Sequence, residues 1–142
     1  MKFFAICLLG LNLMAHAQQL PVGIWQTFDD STKTPKSTIQ IAVKGGLLIG
    51  TIQAIQHKDA GPDERCIQCK DDRKNKPLIG LEIIRSPLSS TNQNKWVGGK
   101  VLDPEIGKEF DLTLELSSDD QKLKVRGSWG PFWETQVWHR LQ

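Results

Sequence analysis

Cys66 and Cys69, three residues apart, carry the readiest chemistry in this sequence. A C-x-x-C pair can close a structural disulfide, cycle between thiol and disulfide, or supply half of a four-ligand zinc site. Redox cycling calls for a thiol at a helix N-terminus after a strand, and no helical pattern follows Cys66. Asp63, Glu64, Asp71 and Asp72 would raise a thiolate's pKa, against the opposite pull of Arg65, Lys70 and Arg73. Zinc would need two further ligands, and past the N-terminal run the histidines are His57 and His139, on distant segments. All three readings stand at this point. An oxidising compartment would favour the disulfide.

Paired carboxylates occur at Asp29-Asp30, Asp71-Asp72 and Asp119-Asp120. Hydrolytic pairs must face each other across a set gap rather than adjoin in sequence, so these read as solvated turn residues. No Gly-x-Ser-x-Gly or His-Glu-x-x-His signature occurs, and neither histidine has a readable Ser or Asp partner. No catalytic residue, cofactor or metal site is assigned, and an enzyme is unsupported. Trp129-Gly130-Pro131-Phe132-Trp133 offers three large rings on one connection. Such rings can stack on a ligand as a lip or plug one end of a small core.

The elements that must position these residues are strands. Phe110, Leu112, Leu114 and Leu116 alternate with polar residues, as do Leu123, Val125, Gly127 and Trp129, and Ile39, Ile41 and Val43 share a face. Period two with one dry face is the pattern of antiparallel sheets. Eight runs emerge, near 24–29, 37–43, 47–56, 79–85, 95–102, 108–117, 122–129 and 134–141. Gly45-Gly46, residues 117–121 and Asp103-Pro104-Glu105-Ile106-Gly107 suit short turns. Gly50 and Gly98-Gly99 sit inside strand patterns, where bulges or sharp bends are the usual cause. One long connection, about 57–78, holds both cysteines, Gly61, Pro62 and Pro77. Eight hairpin-linked strands resolve their sheet edges by closing into an antiparallel up-and-down barrel, with an open sandwich as the alternative.

Charge and length narrow the partners. A net charge of +2 over 142 residues supplies no polybasic field for nucleic acid. The first 17 residues read as a signal peptide: Lys2, the apolar run Phe3 to Met14, and the small-x-small site Ala15-His16-Ala17. That run is 12 residues long, short of the roughly 20 needed to span a bilayer. Cleavage near Ala17 would remove Cys7, start the mature chain near Gln18 and leave residues 18–142 as one barrel domain without an integral membrane segment. The expected location is the periplasm or the exterior.

Gly23-Ile24-Trp25 resembles the glycine-x-tryptophan opening of lipocalins, whose tryptophan closes the barrel floor beneath an arginine from the last strand. That resemblance implies a barrel closure by Trp25 and Arg140 through cation–π stacking. A longer series covers nearly the whole mature chain. It comprises Gly23-Ile24-Trp25, Cys66-Ile67-Gln68-Cys69, Lys76-Pro77-Leu78-Ile79-Gly80-Leu81, Gly98 to Pro104, Lys124-Val125-Arg126-Gly127 and Trp138-His139-Arg140. This order resembles the bacterial domain-of-unknown-function family 2147, departing only where Ile106 precedes Gly107. The resemblance implies small exported proteins with a lipocalin-like barrel and implies no activity. The expected function is non-covalent binding of a small apolar or amphipathic molecule. Its expected ligand-binding residues are Trp96, Phe110, Leu112, Leu114, Trp129, Phe132 and Trp133, with Ile39, Ile41, Leu123 and Val125 on the same dry faces. Two alternatives are an envelope redox or disulfide-handling protein using Cys66 and Cys69, and a ligand-free interaction module with a plugged barrel.

Overall fold

Alternating side chains place one face of each strand in a common interior, and the chain closes around it. A computed structural model describes residues 19–56, 61, 63–89, 92 and 94–142. Residues 1–18, with the expected signal peptide, and His57 and Pro62 lie outside the described residues. The strands are β1 (Gly23–Phe28), β2 (Pro35–Lys44), β3 (Leu47–Ile55), β4 (Glu82–Pro87), β5 (Lys95–Asp103), β6 (Lys108–Leu116), β7 (Lys122–Trp129) and β8 (Phe132–Arg140). Each pairs antiparallel with the next, and β8 returns to β1 through Trp25↔Arg140 and Gln26↔His139. The result is a closed eight-stranded barrel, not an open sandwich, and no helix occurs among the described residues.

Turn chemistry sets the register. Gly45 and Gly46 both take left-handed φ values (58° and 75°), as a two-residue hairpin between Lys44 and Leu47 requires. The sheet shifts register between Trp96 and Gly99, beside Gly98 at φ 82°, and again between Gly50 and Thr51, so these in-strand glycines mark bulges. Three strand starts differ from the sequence pattern by two residues or more, β2 beginning at Pro35 rather than 37. β8 begins at Phe132 because Gly130-Pro131 makes a tight turn that pairs Trp129 with Phe132. β4 begins at Glu82, not near 79, because Leu78 to Leu81 is a turn: the Leu81 amide donates to the Leu78 carbonyl at 3.1 Å.

The barrel has two unlike ends. At the end carrying the β2–β3, β4–β5 and β6–β7 turns, Trp25, Trp96, Ile41, Leu48, Ile84 and Leu114 are fully buried. Both indoles seal this floor with their N–H groups, Trp25 donating to the Pro21 carbonyl (2.9 Å) and Trp96 to the Leu88 carbonyl (3.2 Å). The other end is open.

The long connection belongs to the wall at the open end. β4 is short, so on that side the mouth half of β3 has no strand partner and bonds the connection instead: Ile52 N–H to Leu81 O at 3.0 Å, Gly80 N–H to Ile52 O at 2.7 Å. Leu78, Leu81, Cys66 and Cys69 join the hydrophobic core there. Cys66 and Cys69 form a disulfide. Buried Arg73 pins the same segment. It donates to Asp71 and Glu109 (2.6 Å each) and to the Glu82 carbonyl (2.8 Å), so the buried guanidinium is paired on both sides.

Candidate functional site

The open half of the barrel is a cup of about 750 Å³. That volume lies within the ~300–1,000 Å³ range of small-molecule sites. Its space follows from residue size. Along the interior faces, indoles fill the floor, whereas toward the mouth Thr27, Ser37, Val101, Val125 and Gly127 alternate with the larger Ile39, Phe110 and Gln136. At Gly127 a β-carbon would lie 3.4 Å from that of Phe110, about ordinary van der Waals contact, so the glycine widens the cup by the side chain it lacks.

The lining is two-sided. One wall, from β3 through the long connection to β7, is apolar: Ile52, Ile55, Leu78, Ile83, Phe110 and Val125. The facing wall, from β8 through β1 to β2, carries Glu134, Gln136, Thr27, Ser37 and Lys36. The Thr27 and Ser37 hydroxyls bond each other at 2.6 Å, and Gln136 accepts the Trp138 indole N–H at 3.1 Å. These polar groups satisfy one another with little desolvation penalty left for an apolar occupant. Apolar runs alone do not mark these residues. Glu134, Gln136, Thr27 and Ser37 were legible in principle, because alternation puts them on the same faces as Trp138, Trp25 and Ile39.

At the mouth, Glu105 pairs with Lys36 across 3.4 Å, and Asp103 and Glu64 complete the charged rim. The Glu134 carboxyl is pushed above the ordinary range, first by a hydrogen bond with Asp30, then by desolvation and by the charges of Asp30 and Asp103. Gln136 donates to the same Asp30 at 3.2 Å. Large exposed apolar side chains gather here as well. Ile67, Ile106, Trp129, Phe132 and Trp133, between 55% and 69% exposed, are the five most exposed large hydrophobics among the described residues. All five sit on connections or strand ends at the open end. Lys108 Nζ lies 3.7 Å above the Trp129 ring and the Arg126 guanidinium 4.7 Å above Trp133.

Of the residues singled out in the sequence, Phe110, Trp129, Phe132 and Trp133 line the cup, with Ile39 and Val125. Trp96, Leu112 and Leu114 do not line it, nor do Ile41 and Leu123. They share the inward faces but lie deeper, in the packed floor half; Trp96 sits at the closed end rather than near the mouth. The 129–133 rings are at the rim with most of their surface in water and plug nothing. Cys66 and Cys69 are 0% and 2% exposed, so the oxidised pair offers no sulfur to a partner thiol. His139 packs edge-on against Phe28 at 4.9 Å, outside the cup. No cluster of His, Cys, Asp and Glu among the described residues has the geometry of a metal site.

At the seam between first and last strands, the Arg140 guanidinium lies 4.3 Å from the centre of the buried Trp25 ring. Arg140 also donates to the carbonyls of Asp120 and Val22, each at 2.7 Å. Gly23 has φ 143°, and a β-carbon there would overlap the Arg140 side chain, so the glycine before Ile24-Trp25 makes the room this contact uses.

Residues 23–140 match a protein-family profile described as an uncharacterised protein conserved in bacteria, DUF2147. No curated protein matches the chain. Among solved structures, a protein from the human pathogen Helicobacter pylori, described as belonging to the lipocalin family, superposes with a TM-score of 0.71. It is 19% identical, over 87% of this chain and 84% of that one. At that identity the likeness concerns the fold.

Proposed function

This chain belongs to the bacterial family DUF2147, and on that footing we propose that it is an exported barrel that binds a small apolar or amphipathic molecule non-covalently in its cup. The carrying observation is the half-filled interior: about 750 Å³ with an apolar wall, sealed by Trp25 and Trp96 at one end and open at the other. A barrel built only as an interaction module gains nothing by leaving that volume unfilled, since each lost core contact costs stability. The buried disulfide supports a structural rather than a disulfide-handling role for Cys66 and Cys69. Export rests on Lys2, the apolar run and Ala15-His16-Ala17, and gives the disulfide an oxidising compartment.

Native mass spectrometry of protein taken from the envelope fraction of its own cells tests both parts. The expected spectrum shows a chain beginning near Gln18 carrying an adduct that is released on denaturation. A chain retaining Met1 overturns the export reading. Protein that stays free of adducts, and that fails to take up apolar dyes, overturns the binding reading. Val125→Trp, which grows a side chain into the cup, should abolish uptake while the barrel still folds.

A further inference from the structure

Resting on that binding reading, we propose that the cup selects an amphipathic cation, its apolar body against the β3–β7 wall and an ammonium group at the mouth. The charged side chains lining the cup are Lys36, Glu64, Asp103, Glu105 and Glu134, one cation against four carboxylates. Lys36 is already held by Glu105 at 3.4 Å, which leaves Glu64, Asp103 and Glu134 as the excess. Asp30 adds a further acid beside Glu134. Of the nearby cations outside the lining, Lys108 is engaged above Trp129 and lies opposite Asp103 in the β5–β6 pairing, and Arg126 lies over Trp133. An anionic head group would therefore meet an acidic rim, and a cationic one would relieve it.

The aromatic rim points the same way by a separate route. Trp129 and Trp133 each hold one of the protein's own cations over the ring, which places their π faces where cations gather. Both, with Phe132, are more than half exposed, so ring surface is left for a second cation. Carboxylates beside open indoles suit a head group that is positively charged and bulky, such as a substituted ammonium. The raised proton affinity of Glu134 fits too, because Asp30 and Asp103 crowd negative charge there and Lys36 offsets it only in part.

Calorimetric titration with three probes sharing a decyl tail tests the charge selection: decyltrimethylammonium, decanol and decanoate, each below its micelle concentration at about pH 7. The cation should bind at least about tenfold more tightly than decanoate, and the gap should narrow as salt screens the rim. Combining Glu134→Gln with Asp103→Asn should bring the affinities for the cation and for decanoate within about threefold of each other. Decanoate or decanol binding as tightly as the cation overturns the cation selection and leaves the cup as a binding site. A preference that survives both substitutions and high salt also overturns it. If none of the three probes binds, the binding reading itself falls and takes the selection with it.

Discussion

Removing Trp25 or Arg140 tests the barrel closure, and the structure sets the magnitudes. Trp25 is 0% exposed, and truncating a buried indole typically costs about 3–5 kcal/mol. Losing the Trp25 side chain also leaves the Pro21 carbonyl without its donor, about 1 kcal/mol more. Arg140 contributes more than its ring contact. Cation–π stacking at 4.3 Å is worth about 0.5–2 kcal/mol, and the side chain also holds two carbonyls at 2.7 Å. Its side chain is 15% exposed, so these charged bonds are weakened only in part by water, and Arg140→Ala should cost about 2–4 kcal/mol. The two truncations together approach the whole stability of a typical domain, about 5–15 kcal/mol. The double-mutant cycle is therefore better run with Trp25→Leu and Arg140→Met, which keep bulk at both positions. Urea unfolding followed by far-ultraviolet circular dichroism avoids the change that losing an indole makes to fluorescence. The double variant should cost about 0.5–2 kcal/mol less than the sum of the singles. Additivity within about 0.3–0.5 kcal/mol would refute the contact and with it the role given to Gly23.

Gly107 stands at φ 66°, and a β-carbon there would overlap the Gln68 carbonyl. Gly107→Ala should lower stability by at least about 2 kcal/mol and speed proteolysis of the 63–81 connection. Gly45→Ala, at φ 58° with open space around it, should cost only about 1 kcal/mol by thermal unfolding. The carboxylates predict two opposite pH dependences. Glu134, whose pKa is raised in the folded protein, contributes stability present below its ordinary value of 4.5 and lost as pH rises through the folded value. Hence Glu134→Gln should match or exceed the wild type at about pH 7 by up to ~0.5 kcal/mol, and lose that advantage near pH 4. Asp71 is lowered, first by its hydrogen bond to Arg73, so its contribution is present above the ordinary 3.8 and lost as pH falls through the folded value. Asp71→Asn should therefore be the costlier at neutral pH and converge with the wild type in acid, as urea midpoints across pH would record.

Alternation made the strands of this barrel readable, because one-sided burial leaves a two-residue rhythm that few other structures produce. β6 and β7 match the pattern to within a residue, and the glycine pairs mark the turns and bulges. The same rhythm is silent about depth. Phe110 and Leu114 lie on one face of one strand, yet the first lines the cup and the second is packed into the floor. Trp96 could not be assigned to an end without knowing that β5 runs from the floor toward the mouth. The run Ile79-Gly80-Leu81 reads as strand, because closing a wall gap from a turn calls for the same side chains as a short strand. Arg73 gave no signal at all. A buried arginine depends on Asp71, Glu109 and the Glu82 carbonyl arriving together, and only the first is near in sequence.

The cup is therefore a consequence of grading side-chain size along the barrel axis, not of any single motif. Filling an eight-stranded barrel takes inward side chains at every level. This chain places two indoles, isoleucines and leucines at the floor, and threonine, serine, valine and glycine among the inward positions toward the mouth. The floor then supplies the packing and the closed hydrogen-bond ladder, so the upper half is relieved of that task. Stability and binding become separable by position. Changes at Trp25, Trp96 or Leu114 act on folding, whereas changes at Val125, Gly127 or Glu134 act first on what the cup can hold. The connection pinned by Cys66–Cys69 and Arg73 joins these roles: it completes the wall where β4 falls short and fixes one side of the mouth against the Gly107 turn. An opening pinned in this way lets rim charge and exposed rings discriminate among ligands at a lower ordering cost on binding.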